Sequence, residues 1–186
     1  MATEATLRYS ATVSLLMETV TGVVLVGGKS SRMGRDKASL KFDGQTLQDR
    51  IVGVLRQCFS EVLIIREDDV PGLGPIGGLH TALRRVKTEA VFLTACDMPF
   101  MDATLIRRMA GELSDYDAAA IPGEPLHAVY AAHILPVVEQ QISKGEYAMH
   151  RLLSKLRVKS FGAPPIVNVN TPEEWESVCE KFRSVS

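Results

Sequence analysis

Paired glycines followed closely by two cations are the pattern in this sequence best suited to chemistry. They occur in Leu25-Val26-Gly27-Gly28-Lys29-Ser30-Ser31-Arg32-Met33-Gly34-Arg35-Asp36-Lys37. Glycines let a backbone approach a ligand closely and aim amide N–H groups at an anion. Arg32 and Lys37 add charge that can neutralise a polyphosphate. Two familiar phosphate loops are excluded by spacing. A Walker A loop carries Lys directly after its second conserved glycine, whereas Gly34 is followed by Arg35 and Asp36, and the G-x-G-x-x-G dinucleotide spacing is absent from this stretch. Composition and spacing alone leave open a plain glycine-rich turn with a solvated basic face. Other candidates are Gly74-Pro75-Ile76-Gly77-Gly78-Leu79, Cys96-Asp97-Met98-Pro99-Phe100 and Asn168-Val169-Asn170-Thr171-Pro172-Glu173-Glu174. Each has a structural alternative: a strand-to-helix loop, a capped turn before Pro99, and a helix start.

These groups must be held by elements, and the hydrophobic pattern supplies them. Gly22–Val26 is a continuous apolar run of strand length, as expected of a central strand covered on both faces. Glu61–Ile65 and Ala90–Ala95 repeat it. The glycine-rich stretch therefore follows a buried strand directly, at the carboxyl end of the sheet, where open α/β folds bind ligands. Leu47, Ile51, Val54, Leu55 and Cys58 keep helical spacing, as do Leu79, Leu83 and Val86, and then Leu105, Ile106, Met109 and Leu113 after Asp102 as N-cap. Further strands are expected at 117–121, 126–131 and 166–169, and helices at 134–142 and 146–156. Thr171, Pro172 and Glu174 form a capping box for a last helix whose Trp175, Val178 and Phe182 face the core. Alternating strands and helices predict an α/β fold, a Rossmann-like three-layer α/β/α arrangement with a mostly parallel central sheet. Residues 21–184 are expected to form one domain, with 1–20 an N-terminal extension.

Composition bounds the function. Lys and Arg (21) nearly balance Asp and Glu (22) in 186 residues, and the net charge is −1. No basic excess exists to neutralise a nucleic-acid backbone, so any phosphate chemistry must be local. Three cysteines, far apart and in no C-x-x-C pair, support neither a disulfide framework nor a zinc cluster, and point to a reducing, cytoplasmic setting. Neither a signal peptide nor a membrane span is read in the apolar stretch 10–26, which Glu18 interrupts.

Written as Leu-x-Gly-Gly-x-Ser-x-Arg-Met-Gly-x-Asp-Lys, residues 25–37 resemble the signature of the molybdenum cofactor guanylyltransferases (MobA-type) of the nucleotide-diphospho-sugar transferase superfamily. Gly27-Gly28 and Asp36-Lys37 favour this branch over relatives with Ala-Gly and Pro-Lys. The second glycine loop at 74–79, the Cys96-Asp97-Met98-Pro99 turn and the Asn-x-Asn-Thr-Pro-Glu-Glu segment at 168–174 resemble the family's other motifs in order. The resemblance spans about residues 20–182. It implies transfer of GMP from GTP to the phosphate of molybdopterin or the molybdenum cofactor, with magnesium as cofactor and cofactor-delivery proteins or molybdoenzymes as partners.

It also implies roles. Leu25, Val26, Gly27, Gly28, Gly77 and Gly78 would contact nucleotide, Lys37 its phosphates, and Arg32 the leaving pyrophosphate. Asp97 would bind metal. Asp68, or Asp69 if the alignment shifts by one, would take the base or ribose side. His127, Arg151, Asn168 and Asn170 would face the acceptor, although a half-buried strand histidine and a surface arginine fit the first two equally well. The chain departs from the pattern after Ile65 and between Ile121 and Glu124, where connections are short, either through truncated loops or because residues are lacking there. A cytidylyl or sugar-phosphate nucleotidyltransferase, or a non-catalytic nucleotide-binding paralogue, remains an alternative.

Overall fold

The computed structural model describes residues 18–26, 41–42, 44–98, 100–162, 169, 174, 177 and 180. Its centre is strand β1 (Val20–Leu25), flanked by β4 (Glu61–Ile65) and β5 (Ala90–Ala95), both parallel to it. A short hairpin of β2 (Lys41–Phe42) and β3 (Gln45–Thr46) stands apart from this sheet. Beyond β5 follow β7 (Glu124–Ala131), β6 (Ala118–Ile121) and β8 (Val158–Ser160), so the order is β4-β1-β5-β7-β6-β8. β7 pairs antiparallel with both neighbours, while β6 and β8 pair parallel with one another. Among the described strands of this sheet, β7 is thus the one that opposes the rest.

The helices fully within the described residues include α1 (Leu47–Cys58), α2 (Pro75–Arg85), α3 (Ala103–Gly111), α4 (Leu135–Ser143) and α5 (Met149–Leu153). Strand alternation divides the core. Val20, Val24 and Phe92 pack with Ile51, Leu55, Ile106 and Met109 on the face covered by α1 and α3. Val23, Val91 and Leu93 pack with Ile76, Leu79, Val138 and Leu152 on the face covered by α2, α4 and α5. With both faces covered, a central strand is apolar at nearly every position, which is why β1 and β5 appear as continuous runs.

Start signals act as their chemistry dictates. Thr46 Oγ1 accepts the Asp49 N–H (3.0 Å) to cap α1, and the Asp102 carboxylate accepts the Thr104 N–H (2.7 Å) to cap α3. Some boundaries differ from expectation. The first strand, expected at 22–26, runs from Val20 to Leu25, and Val20 is buried and pairs with Ala90. The helix expected at 146–156 is only Met149–Leu153: Glu146 instead binds Lys155 and Arg151, and Gln141 Nε2 donates to the Ala148 carbonyl. Between 121 and 124 the chain makes a closed hairpin in which Ile121 pairs with Glu124 and Gly123 supplies the left-handed backbone (φ 86°). The strand expected at 166–169 and the final capping box lie outside the described residues apart from Val169 and Glu174.

Candidate functional site

Chain direction creates the site. From β1 the chain passes to β4 on one side, then returns across to β5 on the other, so the connections diverge between β1 and β5. Such a switch point opens a crevice at the carboxyl ends of the strands. Those ends are tied together here: the Val26 N–H donates to the Ile65 carbonyl (2.8 Å) and the Cys96 N–H to the Leu25 carbonyl (3.1 Å). Leu25 and Val26 lead directly into Gly27, and Asp97 follows β5 on the adjacent strand.

The Asp97 turn carries two informative contacts. Its carbonyl accepts the N–H of Val169 (2.8 Å), a fully buried residue, so Val169 packs beside the end of β5. Its Oδ1 is buried and has no hydrogen-bond partner among the described residues. An ionised carboxylate can only accept, so an oxygen left in this state is suited to a cation or a donor supplied from outside. Beneath the turn, Thr94 Oγ1 donates to the sulfurs of Met98 and Met101 and ties the loop to β5.

The third wall is the start of α2. Gly74 adopts a left-handed φ of 67° as N-cap, and Pro75 opens the helix without needing a donor. A Cβ on Gly78 would lie 2.6 Å from Leu25 Cδ2, and one on Gly77 would lie 3.0 Å from Asp68 Oδ2. Gly78 therefore lets the helix backbone close on the end of β1, and Gly77 makes room for a carboxylate. Burial, then the Asp69 charge, push the Asp68 carboxyl up from its ordinary value, while Arg85 pulls it down. Asp69 is committed differently, pairing with Arg85 and donating its N–H to Thr81 Oγ1 (2.8 Å). One signal was passed over in the sequence: Gly72-Leu73-Gly74-Pro75-Ile76-Gly77 has G-x-G-x-x-G spacing. It follows β4 only after a loop, so it is not a dinucleotide turn, but its glycines shape this wall.

The structure thus brings Leu25, Val26, Asp68, Gly77, Gly78 and Asp97 to the carboxyl ends of β1 and β5 and the start of α2. Gly27, Gly28, Arg32, Lys37, Asn168 and Asn170 lie outside the described residues. His127 and Arg151 are not brought together. His127 is fully buried on the α1/α3 face, edge-on to Phe92 (5.1 Å), and neither ring nitrogen has a hydrogen-bond partner among the described residues. Burial lowers its pKa to about 4, with Asp102 opposing the shift. Arg151 sits on α5 across the sheet, largely exposed, and pairs with Glu146 at 3.3 Å. Among the described residues, no group of three or more His, Cys, Asp or Glu side chains is placed to hold a metal. No helix among them is long and apolar enough to cross a membrane.

Comparison with known proteins gives this geometry a context. Residues 22–161 match the model of the MobA-like NTP transferase domain. The chain is 33% identical to a protein named probable molybdenum cofactor guanylyltransferase in Carboxydothermus hydrogenoformans, over 193 aligned positions, 89% of this chain and 98% of that one. It is 30% identical to a molybdenum cofactor guanylyltransferase of Desulfosudis oleivorans, over 86% of this chain and 94% of the relative. The first alignment is longer than this whole chain, so the relative carries residues without counterparts here. Among solved structures, molybdopterin-guanine dinucleotide biosynthesis protein A of Archaeoglobus fulgidus superposes with a TM-score of 0.73 at 25% identity, covering 89% of this chain and all of that one.

Proposed function

This chain belongs to the MobA-like NTP transferase domain family, and on that premise we propose that it transfers GMP from GTP to the phosphate of molybdopterin or the molybdenum cofactor, yielding the guanine dinucleotide form and pyrophosphate. The observation that carries the proposal is the unpartnered Asp97 carboxylate oxygen at the β1/β5 switch point, beside the strand that runs into Gly27-Gly28. Full-length similarity to named guanylyltransferases supports the choice of GTP and the pterin acceptor.

In such a transfer an oxygen of the acceptor phosphate attacks the α-phosphorus of GTP. The bond to the bridging oxygen breaks, and pyrophosphate leaves with that electron pair. The nucleophile arrives as an anion, so the protein need form no covalent intermediate and acts by in-line positioning and charge neutralisation. Leu25, Val26, Gly27 and Gly28 supply backbone along the nucleotide, Lys37 holds its phosphates, and Arg32 offsets charge on the leaving group. Asp68 accepts from the base or ribose. Asn168 and Asn170, the sequence neighbours of Val169, serve the acceptor side.

Asp97 fits magnesium, which commonly takes one or two carboxylates together with phosphate oxygens. When bound, the ion would neutralise phosphate charge. The enzyme would work in the cytoplasm and hand its product to molybdoenzymes.

Thermal unfolding with magnesium and, separately, GTP, CTP or ATP tests the reading. A ligand at a hundred times its Kd stabilises a native state by about 2.7 kcal/mol. Selective stabilisation by GTP is expected; selective stabilisation by CTP would move the assignment to a cytidylyltransferase.

A further inference from the structure

Two adjacent carboxylates follow β4, and the fold uses them in opposite ways. Asp69 is consumed by the protein. Its side chain pairs with the Arg85 guanidinium in the last turn of α2, and its backbone N–H donates to the fully buried Thr81 hydroxyl at 2.8 Å. Asp68 accepts no hydrogen bond among the described residues, and its Oδ2 reaches into the space that a side chain on Gly77 would fill. Thr81 and Arg85 stand one turn apart on the same helix, so α2 both makes room for Asp68 and anchors its neighbour.

We infer that Arg85 and Thr81 are positioning residues that, by gripping Asp69, hold the Asp68 carboxylate over the first turn of α2 as the acceptor for N–H or O–H donors of the nucleotide's base or ribose. This rests on the proposed use of GTP. The Arg85–Asp69 pair is substantially exposed, 46% on the arginine side and 32% on the aspartate side. Exposed pairs of this kind add little to folding. Their contribution here is to aim and to charge: Arg85 neutralises the anion next to Asp68 and favours its ionised, acceptor form.

Steady-state kinetics with varied GTP test the inference in wild type, Arg85→Ala, Arg85→Lys, Asp68→Asn and the Asp68→Asn/Arg85→Ala double variant. Arg85→Ala is expected to raise the KM for GTP about tenfold, below the hundredfold that an ångström of misplacement can cost, with kcat and Tm near wild type. Arg85→Lys restores most of the loss. In the Asp68→Asn background Arg85→Ala adds nothing further, because the group it acts through is gone. An unchanged KM in Arg85→Ala, or full additivity with Asp68→Asn, overturns the inference while wild-type turnover still upholds the proposed function. Absence of wild-type turnover with GTP overturns both. Asp69→Asn, which keeps the backbone donor to Thr81, is the second variant: a KM effect of the same sign supports the grip, and none contradicts it.

Discussion

The two halves of the sheet treat their polar residues differently. In the β4-β1-β5 half, parallel strands deliver their carboxyl ends to one crevice, where Asp97 Oδ1 lacks a partner and Asp68 has space made for it. In the β7-β6-β8 half, antiparallel β7 carries His127 into the core, and α5 places Arg151 on the other face, committed to Glu146. An unpartnered group thus has two meanings in one fold. At the end of a parallel strand it lies where open α/β folds bind ligands; along the middle of a covered strand it is a neutral side chain enclosed by apolar neighbours. Asp97 is the residue on which the proposed function rests, and the burial of His127 predicts a stability that depends on pH.

Substitutions can break or sharpen this contrast. The largest effect is expected from Asp97→Asn, which should lower guanylyl transfer at least about a hundredfold with the fold intact, by circular dichroism and Tm. Near-normal turnover would remove Asp97 from the chemistry. Gly78→Ala comes next, because its Cβ would lie 2.6 Å from Leu25 Cδ2. Overpacking of that sort costs about 1–3 kcal/mol, readable by denaturant unfolding, and should raise the GTP KM as α2 is pushed off β1.

His127 should show itself in stability at low pH. An unfolded histidine gains a proton below about pH 6.5, whereas the native ring stays neutral to about 4. Its contribution is therefore complete above pH 6.5 and declines as pH falls to 4, by at most about 3 kcal/mol. His127→Phe should flatten that part of the stability profile. A native His127 titrating near 6.5 by NMR would show an accessible ring and revive an acceptor-binding role. Arg151→Ala is the mildest, expected to change stability by about 0.5 kcal/mol or less, since exposed pairs contribute little. A raised KM for the pterin acceptor with an unchanged KM for GTP would assign it to the acceptor side.

The same division governs how much could be read from sequence. β4 and β5 have the expected boundaries, and Asp102 caps α3, because a fully buried parallel strand and a helix N-cap are each written locally. The reversal of β7 is not written locally, because direction depends on which neighbours a strand joins. β8 has only three residues, too few to show a period. At the candidate site, residue types singled out Asp97 and the glycines as candidates, but the different contacts of Asp68 and Asp69 needed α2 to be placed beside them. The burial of His127 likewise depends on Phe92, thirty-five positions away in the chain and edge-on to its ring.

The central claim, that this chain moves GMP onto a pterin phosphate, is tested most directly by pyrophosphate release with molybdopterin, magnesium and either GTP or CTP, with the product identified by mass. The account predicts pyrophosphate and the guanine dinucleotide with GTP, dependent on molybdopterin and lost in Asp97→Asn. Turnover with CTP in place of GTP, or none with GTP by a protein that binds it, would contradict the account.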